Sequence, residues 1–350
     1  MTFIRLVQPQ DLDGLVALAK QAGFGLTTLS ADSERLARRI EASTSGAAPL
    51  LVMIDPADGA IAGTAGLFSQ VGDAERAEPF YAYRLERAVK RSEALGVRRE
   101  IEALHLVRNY DGPTEIGTLF LHPAYRRGGN GRVLSLSRFL LIAREPDRFD
   151  RQVISELRGV IDEHGRSPFW EALGRHFFGV DYPVADNLSA RDKRFIAELM
   201  PTHPIYLSLL PAAAREVIGK VHPNTRPARS LLEGEGFHFA GMVDIFDAGP
   251  CLRCDRTAIR TIRESQLATV TALVDPQAGN AQLNALVSPT DGPFVAAGVS
   301  AAFDSEGCAL PRDTAEKLRL ELGATIRIAP IRAGSLHRPN ALHSTTEITP

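Results

Sequence analysis

The sequence predicts an α/β protein in which strands and helices alternate to about residue 246 and a smaller β-rich unit follows. Three observations predict it. Short apolar runs such as 50–54, 61–67 and 115–121 read as strands. Between them lie stretches whose apolar residues recur every three or four positions. Beyond Asp247-Ala248-Gly249-Pro250 the pattern changes to short apolar runs at 268–274, 283–287 and 294–299. The expected division is therefore 1–250 and 251–332, with a polar tail at 333–350 that lacks any apolar period and is expected to be disordered. At 350 residues the chain is long enough for more than one packed unit.

Taken in order, Ile4, Leu6 and Val7 form a strand. After Pro9-Gln10-Asp11, Leu12, Leu15, Val16 and Ala19 recur at helical spacing. A second helix begins after Ser30 or Asp32, with Leu36 and Ile40 on one face. Asp55-Pro56-Ala57-Asp58-Gly59 between two apolar runs is hairpin chemistry. The charged stretch 85–98 reads as helical, and strands follow at 101–107 and 115–121. Then come an apolar helix over 133–143, a strand over 153–161, and a helix opened by Ser167-Pro168 as N-cap and first residue. Residues 192–220 read as largely helical with a break at Pro201-Thr202-His203-Pro204, and a helix over 227–235 precedes a strand at 242–246. In the second unit a short helix over 315–322 and a strand over 326–331 close the pattern.

Composition narrows the function classes. Hydrophobic content of 44%, charged content of 23% and a net charge of −2 give no electrostatic footprint for nucleic acid. The first residues lack the apolar core of a signal peptide, and no apolar run is long enough to span a bilayer, so the expected location is cytoplasmic. Cys251, Cys254 and Cys308 cannot build a disulfide framework, and the spacing of Cys251 and Cys254 lacks the second ligand pair a structural zinc needs. Reduced thiols and no metal are expected.

The most informative stretch is the strand ending at Leu121-His122-Pro123, followed by Tyr125-Arg126-Arg127-Gly128-Gly129-Asn130-Gly131 and an apolar helix. Glycines uncover backbone N–H groups, the helix N-terminus adds partial positive charge, and two arginines add charge-assisted donors. The combination suits a pyrophosphate. Neither the glycine spacing of a Rossmann loop nor the Gly-Lys-Ser/Thr of a P-loop is present. Arg126, Gly129 and Gly131 fit the Arg/Gln-x-x-Gly-x-Gly/Ala pattern of the GNAT-type N-acetyltransferase superfamily. That resemblance implies that Arg126, Arg127, Gly128, Gly129, Asn130 and Gly131 hold the CoA pyrophosphate and that Leu119 and Leu121 lie beside the pantetheine.

Longer strings carry a narrower resemblance. Pro79 to Arg84, Arg158-Gly159-Val160-Ile161-Asp162-Glu163-His164-Gly165-Arg166-Ser167-Pro168-Phe169-Trp170, Phe195 to Pro201, Val217-Ile218-Gly219-Lys220-Val221-His222-Pro223 and Asp244 to Pro250 occur in one order along the chain. With Gly25-Leu26-Thr27-Thr28-Leu29, they resemble the arginine N-succinyltransferase family over about residues 4–250. The resemblance implies an acetyltransferase-like mixed sheet flanked by helices, with a small C-terminal β-rich domain. It implies transfer of a succinyl group from the co-substrate succinyl-CoA to the α-amine of L-arginine in arginine catabolism, with no permanently bound cofactor. A homo-oligomer is expected. The competing readings are an acyltransferase acting on ornithine and a non-catalytic acyl-CoA-binding subunit of a paired transferase.

Such a reaction needs a base for the amine and a proton donor for the departing thiolate. His222 suits the donor role near neutral pH and matches the family's proton donor. Glu115 is the second candidate, as base, on a strand where period two puts it on the face of Leu119 and Leu121. Asp162, Glu163 and His164 are candidates for meeting a guanidinium, and Tyr81, Tyr83 and Arg84 for lining the acyl pocket. Trp170 reads as core.

Overall fold

The computed structural model describes residues 2–22, 28–189, 191–275, 283–303 and 306–334. The family-like residues Gly25, Leu26 and Thr27 and the tail beyond 334 lie outside them. Among the described residues, strands join edge to edge in one mixed order. At its centre Phe3–Leu6, Leu50–Ile54, Ile61–Phe68 and Thr114–Leu121 are antiparallel neighbours. Thr114–Leu121 then pairs in parallel with Gln152–Glu156, and Pro250–Asp255, His238–Val243, Phe80–Ser92 and Val97–Asn109 continue the sheet antiparallel.

Alternation along single strands builds the two cores. Leu51 and Met53 face the helix Asn130–Arg144, while Leu50, Val52 and Ile54 face the helices Leu12–Ala19 and Ser33–Thr44. Asp32 caps the second of these, its side chain accepting from the N–H groups of Glu34 and Arg35. Asn130–Arg144 is buried along most of its length because it is covered on both sides. The central sheet lies on one side of it, and Leu286, Phe294, Ala296 and Ala329 of the C-terminal part lie on the other. Trp170 is fully buried among Phe178, Tyr182 and Phe246, as a core residue should be. The three cysteines are buried and free. Among the described residues no helix is long and apolar enough to cross a membrane.

The stretch 85–98 is not helical. Phe80–Ser92 and Val97–Asn109 pair in register from Phe80 with Asn109 to Ser92 with Val97, turning at Gly96 with φ 61°. Helix-forming residues fill it, but cross-strand pairs such as Arg87–Glu102 at 2.8 Å replace the local i,i+4 contacts they would have made. The strand expected over 153–161 ends at Glu156. Residues 192–220 hold the short helices Arg194–Leu199 and Ala212–Val217, with a two-residue strand, Ile205–Tyr206, and a 3-10 turn, Leu207–Leu209, between them.

The boundary expected at residue 250 coincides with the start of the strand Pro250–Asp255. Pro250–Asp255 is hydrogen-bonded on both sides within the first unit's sheet. The β-rich strands beyond Gln266 attach at the far edge, where Val295–Val299 meets Phe3–Leu6. A buried ion pair ties the parts together. Arg260 donates to Glu235 at 2.5 Å and to the carbonyls of Pro330 and Ile331.

Candidate active site

The site begins with a break in one strand. Thr118 has φ 49°, a left-handed value for a residue with a β-carbon, and the register slips opposite Thr64 and Gly66. The Thr64 hydroxyl donates to the Thr118 carbonyl at 2.9 Å and holds the bulge. On its other side this strand pairs with Gln152–Glu156 only at Thr114 and Glu115. Beyond that point the ladder between the two parallel strands stops, which leaves a gap in the backbone pairing level with Gly117 and Thr118.

The bulge changes which residues share a face. Glu115 pairs with Phe68 and Phe120 with Thr64, on the side of Ser33–Thr44, whereas Ile116, Leu119 and Leu121 pack toward Asn130–Arg144. Glu115 therefore does not lie on the face of Leu119 and Leu121. Strict period two fails because Thr118 adds one residue to the strand.

On the helix side, the strand ends at the glycine loop. Gly128 and Gly129 take φ 60° and 83°, and Gly129 serves as N-cap of Asn130–Arg144. The Asn130 amide donates to the Tyr125 carbonyl at 3.1 Å, and the Tyr125 hydroxyl to Asp55 at 2.8 Å, which fixes the loop's shape. Arg126 donates through Nε to the Leu121 carbonyl at 3.0 Å, and its guanidinium lies 5.9 Å from the Phe120 ring. Arg127 is exposed beside it. A short turn of N–H groups with two cations at a helix start is a cradle for a diphosphate.

On the opposite face the gap opens onto acids. Glu115 is closely surrounded by protein, and burial pushes its carboxyl up to about 7, with Lys193 and Arg39 pulling the other way. Glu156 follows two residues after Ile154, the partner of Thr114–Glu115 pairing, and so shares the Glu115 side. Its Oε1 is buried without a hydrogen-bond partner among the described residues. Burial, then the charges of Glu115 and Asp244, hold its carboxyl well above the usual range. Asp186, from the helix Tyr182–Ser189, is raised to about 7 by burial and by Asp244. Buried carboxylates outnumber the cations among them, which a positively charged ligand would correct.

Three loops interlock at the end of Gln152–Glu156. Asp247 accepts from the N–H groups of Gly159 and Gly249, each at 2.7 Å. A β-carbon at Gly249 would fall 2.0 Å from the Leu157 carbonyl, so the crossing admits only glycine. The His222 N–H donates to the Arg158 carbonyl at 2.9 Å, which brings the histidine to this crossing. Its Nδ1 accepts from the Asn224 N–H at 3.1 Å, so the neutral ring carries its proton on Nε2. Burial and then the Arg158 charge lower its pKa, and the ring is neutral at neutral pH. His222 is thus both a backbone-bonded turn residue and a poised N–H donor.

Other candidates are placed elsewhere. Asp162 accepts from the His164 and Arg166 N–H groups and pairs with the Arg166 side chain at 2.9 Å, closing its own turn. Glu163 is exposed and contacts His164. A cavity of about 420 Å³ lined by His164, Arg166, Asp181 and Tyr182 lies beside this turn. Its acids are already paired with arginines, so it lacks the uncompensated charge of the crevice. Arg84 is exposed and paired with Glu86 at 2.7 Å. Tyr81 and Tyr83 are core residues, Tyr83 lying edge-on to Phe169 with its hydroxyl pKa raised by burial. Glu156, Asp186, Asp244 and Arg158 were not singled out from the sequence. Asp244 and Arg158 lie within the family-like strings, and that is the signal that pointed near them.

Comparison with known proteins decides the relationship. Residues 2–261 match the protein family described as "arginine N-succinyltransferase beta subunit". The chain belongs to the arginine N-succinyltransferase family. It is 41% identical over 340 residues to the arginine N-succinyltransferase subunit beta of Pseudomonas aeruginosa, covering 94% of this chain and 98% of that protein. It is 44% identical over 280 residues to the arginine N-succinyltransferase of Citrobacter koseri, covering 77% of this chain and 80% of that one. Among solved structures it is similar to the arginine/ornithine succinyltransferase subunit AI of P. aeruginosa, with a TM-score of 0.84 at 30% identity, covering 95% and 99% of the two chains. The family match extends past Asp255 and so includes the whole central sheet.

Proposed function

We propose that the chain transfers a succinyl group from succinyl-CoA to the α-amine of L-arginine, and that it works in the cytoplasm. The observation that carries the reading is the gap between the two parting strands, with a diphosphate cradle on one face and uncompensated acids on the other. The CoA pyrophosphate lies against Arg126 to Gly131, and the pantetheine arm runs past Leu119 and Leu121 toward Thr118. Arginine lies in the acidic crevice, its guanidinium toward Asp186.

The chemistry then divides between two groups. Burial raises the hold of both Glu115 and Glu156 on a proton, and the Glu115 charge adds to it at Glu156, so one of them accepts the ammonium proton of the substrate. The free amine adds to the thioester carbonyl, the carbon–sulfur bond breaks while the Nε2–H of neutral His222 steadies the departing thiolate by donating a hydrogen bond, and the proton shed by the new amide nitrogen ends on the thiolate as the free thiol. Incubating the protein with succinyl-CoA and L-arginine, and following thiol release, tests this. Stoichiometric thiol and succinylarginine are expected, whereas folded protein without release above background rejects the reading.

Two of the relatives are named as subunits, and one is named for arginine and ornithine together. An oligomer is inferred for this chain as well, and ornithine belongs in the acceptor panel. A shorter diamine leaves the guanidinium site unfilled and should give a higher KM.

A further inference from the structure

Arg138 points inward from the third turn of Asn130–Arg144, with 2% of its surface exposed. Its Nε donates to the Ser135 carbonyl at 3.0 Å, and one terminal nitrogen donates to the Ser135 hydroxyl at 2.6 Å. The other donates to the Gly117 carbonyl at 3.4 Å. These bonds use three of the five N–H donors a guanidinium carries.

No carboxylate pairs with Arg138 among the described residues, and burial alone lowers its pKa, to about 9, so it remains a cation at neutral pH. Arg39, the buried arginine on the other face of the strand, has the Glu115 charge nearby. Burying a cation with no counter-charge is strongly unfavourable. Local hydrogen bonding to Ser135 and Gly117 offsets this only in part.

The position of Arg138 singles it out. Gly117 is the residue beside the bulge where the parallel strands part. Ser155, on the other parted strand, donates to the Ile116 carbonyl at 3.1 Å. Ser135, Arg138 and Ser155 therefore form a buried polar island at the gap, in a face otherwise built from Ile116, Leu134 and Phe139. From Leu121 back to Gly117 the strand covers about 13 Å, the run a pantetheine arm would follow from the loop. An acyl chain delivered at the bulge continues toward this island.

We propose that Arg138 receives the distal carboxylate of the acyl donor through its two unused N–H groups, and so selects a dicarboxylic acyl-CoA over a neutral one of equal length. This rests on the reading of the chain as a succinyl-CoA-dependent transferase.

The test compares succinyl-CoA with butyryl-CoA, which carries a methyl group where the carboxylate stands, using wild type and Arg138→Met. Wild type should favour succinyl-CoA in kcat/KM, and the variant should shrink that preference by about 100-fold, chiefly by losing the succinyl donor. Equal losses on both donors, or an unchanged ratio, overturn the proposal. In parallel, succinyl-CoA should raise the Tm of wild type more than butyryl-CoA does; equal shifts overturn it even if Arg138→Met fails to fold. If wild type transfers no acyl group to any acceptor, the transferase reading fails instead, and the thermal shifts still decide the carboxylate site.

Discussion

The glycine loop and the acidic crevice sit on opposite faces of the same parted strands, and they are built in opposite ways. The loop is contiguous, exposed and cationic, and its binding groups are mostly backbone N–H groups presented by left-handed glycines. The crevice draws Glu115, Glu156, Asp186, Asp244 and His222 from five separate segments, and its groups are side chains pushed away from their ordinary pKa values. In the proposed reading one region grips and the other reacts. A phosphate cradle needs only local geometry and tolerates water, whereas proton transfer needs burial, which only packing supplies.

That contrast breaks most sharply at the chemical step. His222→Ala and Glu156→Gln should each lower kcat by about 10²–10⁴-fold while leaving CoA affinity nearly unchanged. Steady-state turnover alongside direct CoA binding checks it, and a loss of CoA affinity without loss of kcat would erase the division of labour. At the loop the effect is smaller and of the other kind. Arg126→Ala should weaken CoA binding by about 10-fold, as expected for one charge-assisted contact, with kcat for bound substrate preserved. A CoA titration of the variant decides this.

The smallest effect is on stability. Glu115 and Asp186 titrate near 7 in the folded chain, against 4.5 and 3.8 for the free groups. The folded state then holds more protons than the unfolded one across that window, so stability falls as pH rises from about 4 toward 7. Tm should decline over this range without ligand, and L-arginine should restore more of it at the upper end than at the lower. A flat Tm profile, or an arginine shift independent of pH, would show that these acids do not share the substrate's charge.

The loop was legible in the sequence because its conformation follows from consecutive residues: Pro123 ends a strand, glycines expose the backbone, and a helix begins. The crevice was legible only in fragments. His222 and Glu115 stand out in the sequence, and Asp162, Glu163 and His164 read there as guanidinium candidates while Asp186 does not, since nothing local shows that Asp162 spends its carboxylate on its own turn. The placement of Glu115 relative to Leu119 and Leu121 failed for a similar reason. A single added residue at Thr118 reverses alternation, and threonine carries no mark of a left-handed φ. Within the hairpin over 80–109, the stretch 85–98 reads as helical in the sequence because charged helix formers adopt whichever structure their partners impose.

By itself the sequence determined the alternation of strands and helices, the glycine loop at a helix start, and the family. These rest on short-range periodicity, turn chemistry and contiguous strings. Tertiary structure alone decided which acids lose their water, which face each side chain takes beyond the bulge, and that Arg138 is a buried cation with no carboxylate paired to it among the described residues. Those properties depend on atoms far apart in the chain, because desolvation and charge compensation are set by whatever packs against a group rather than by its neighbours in sequence.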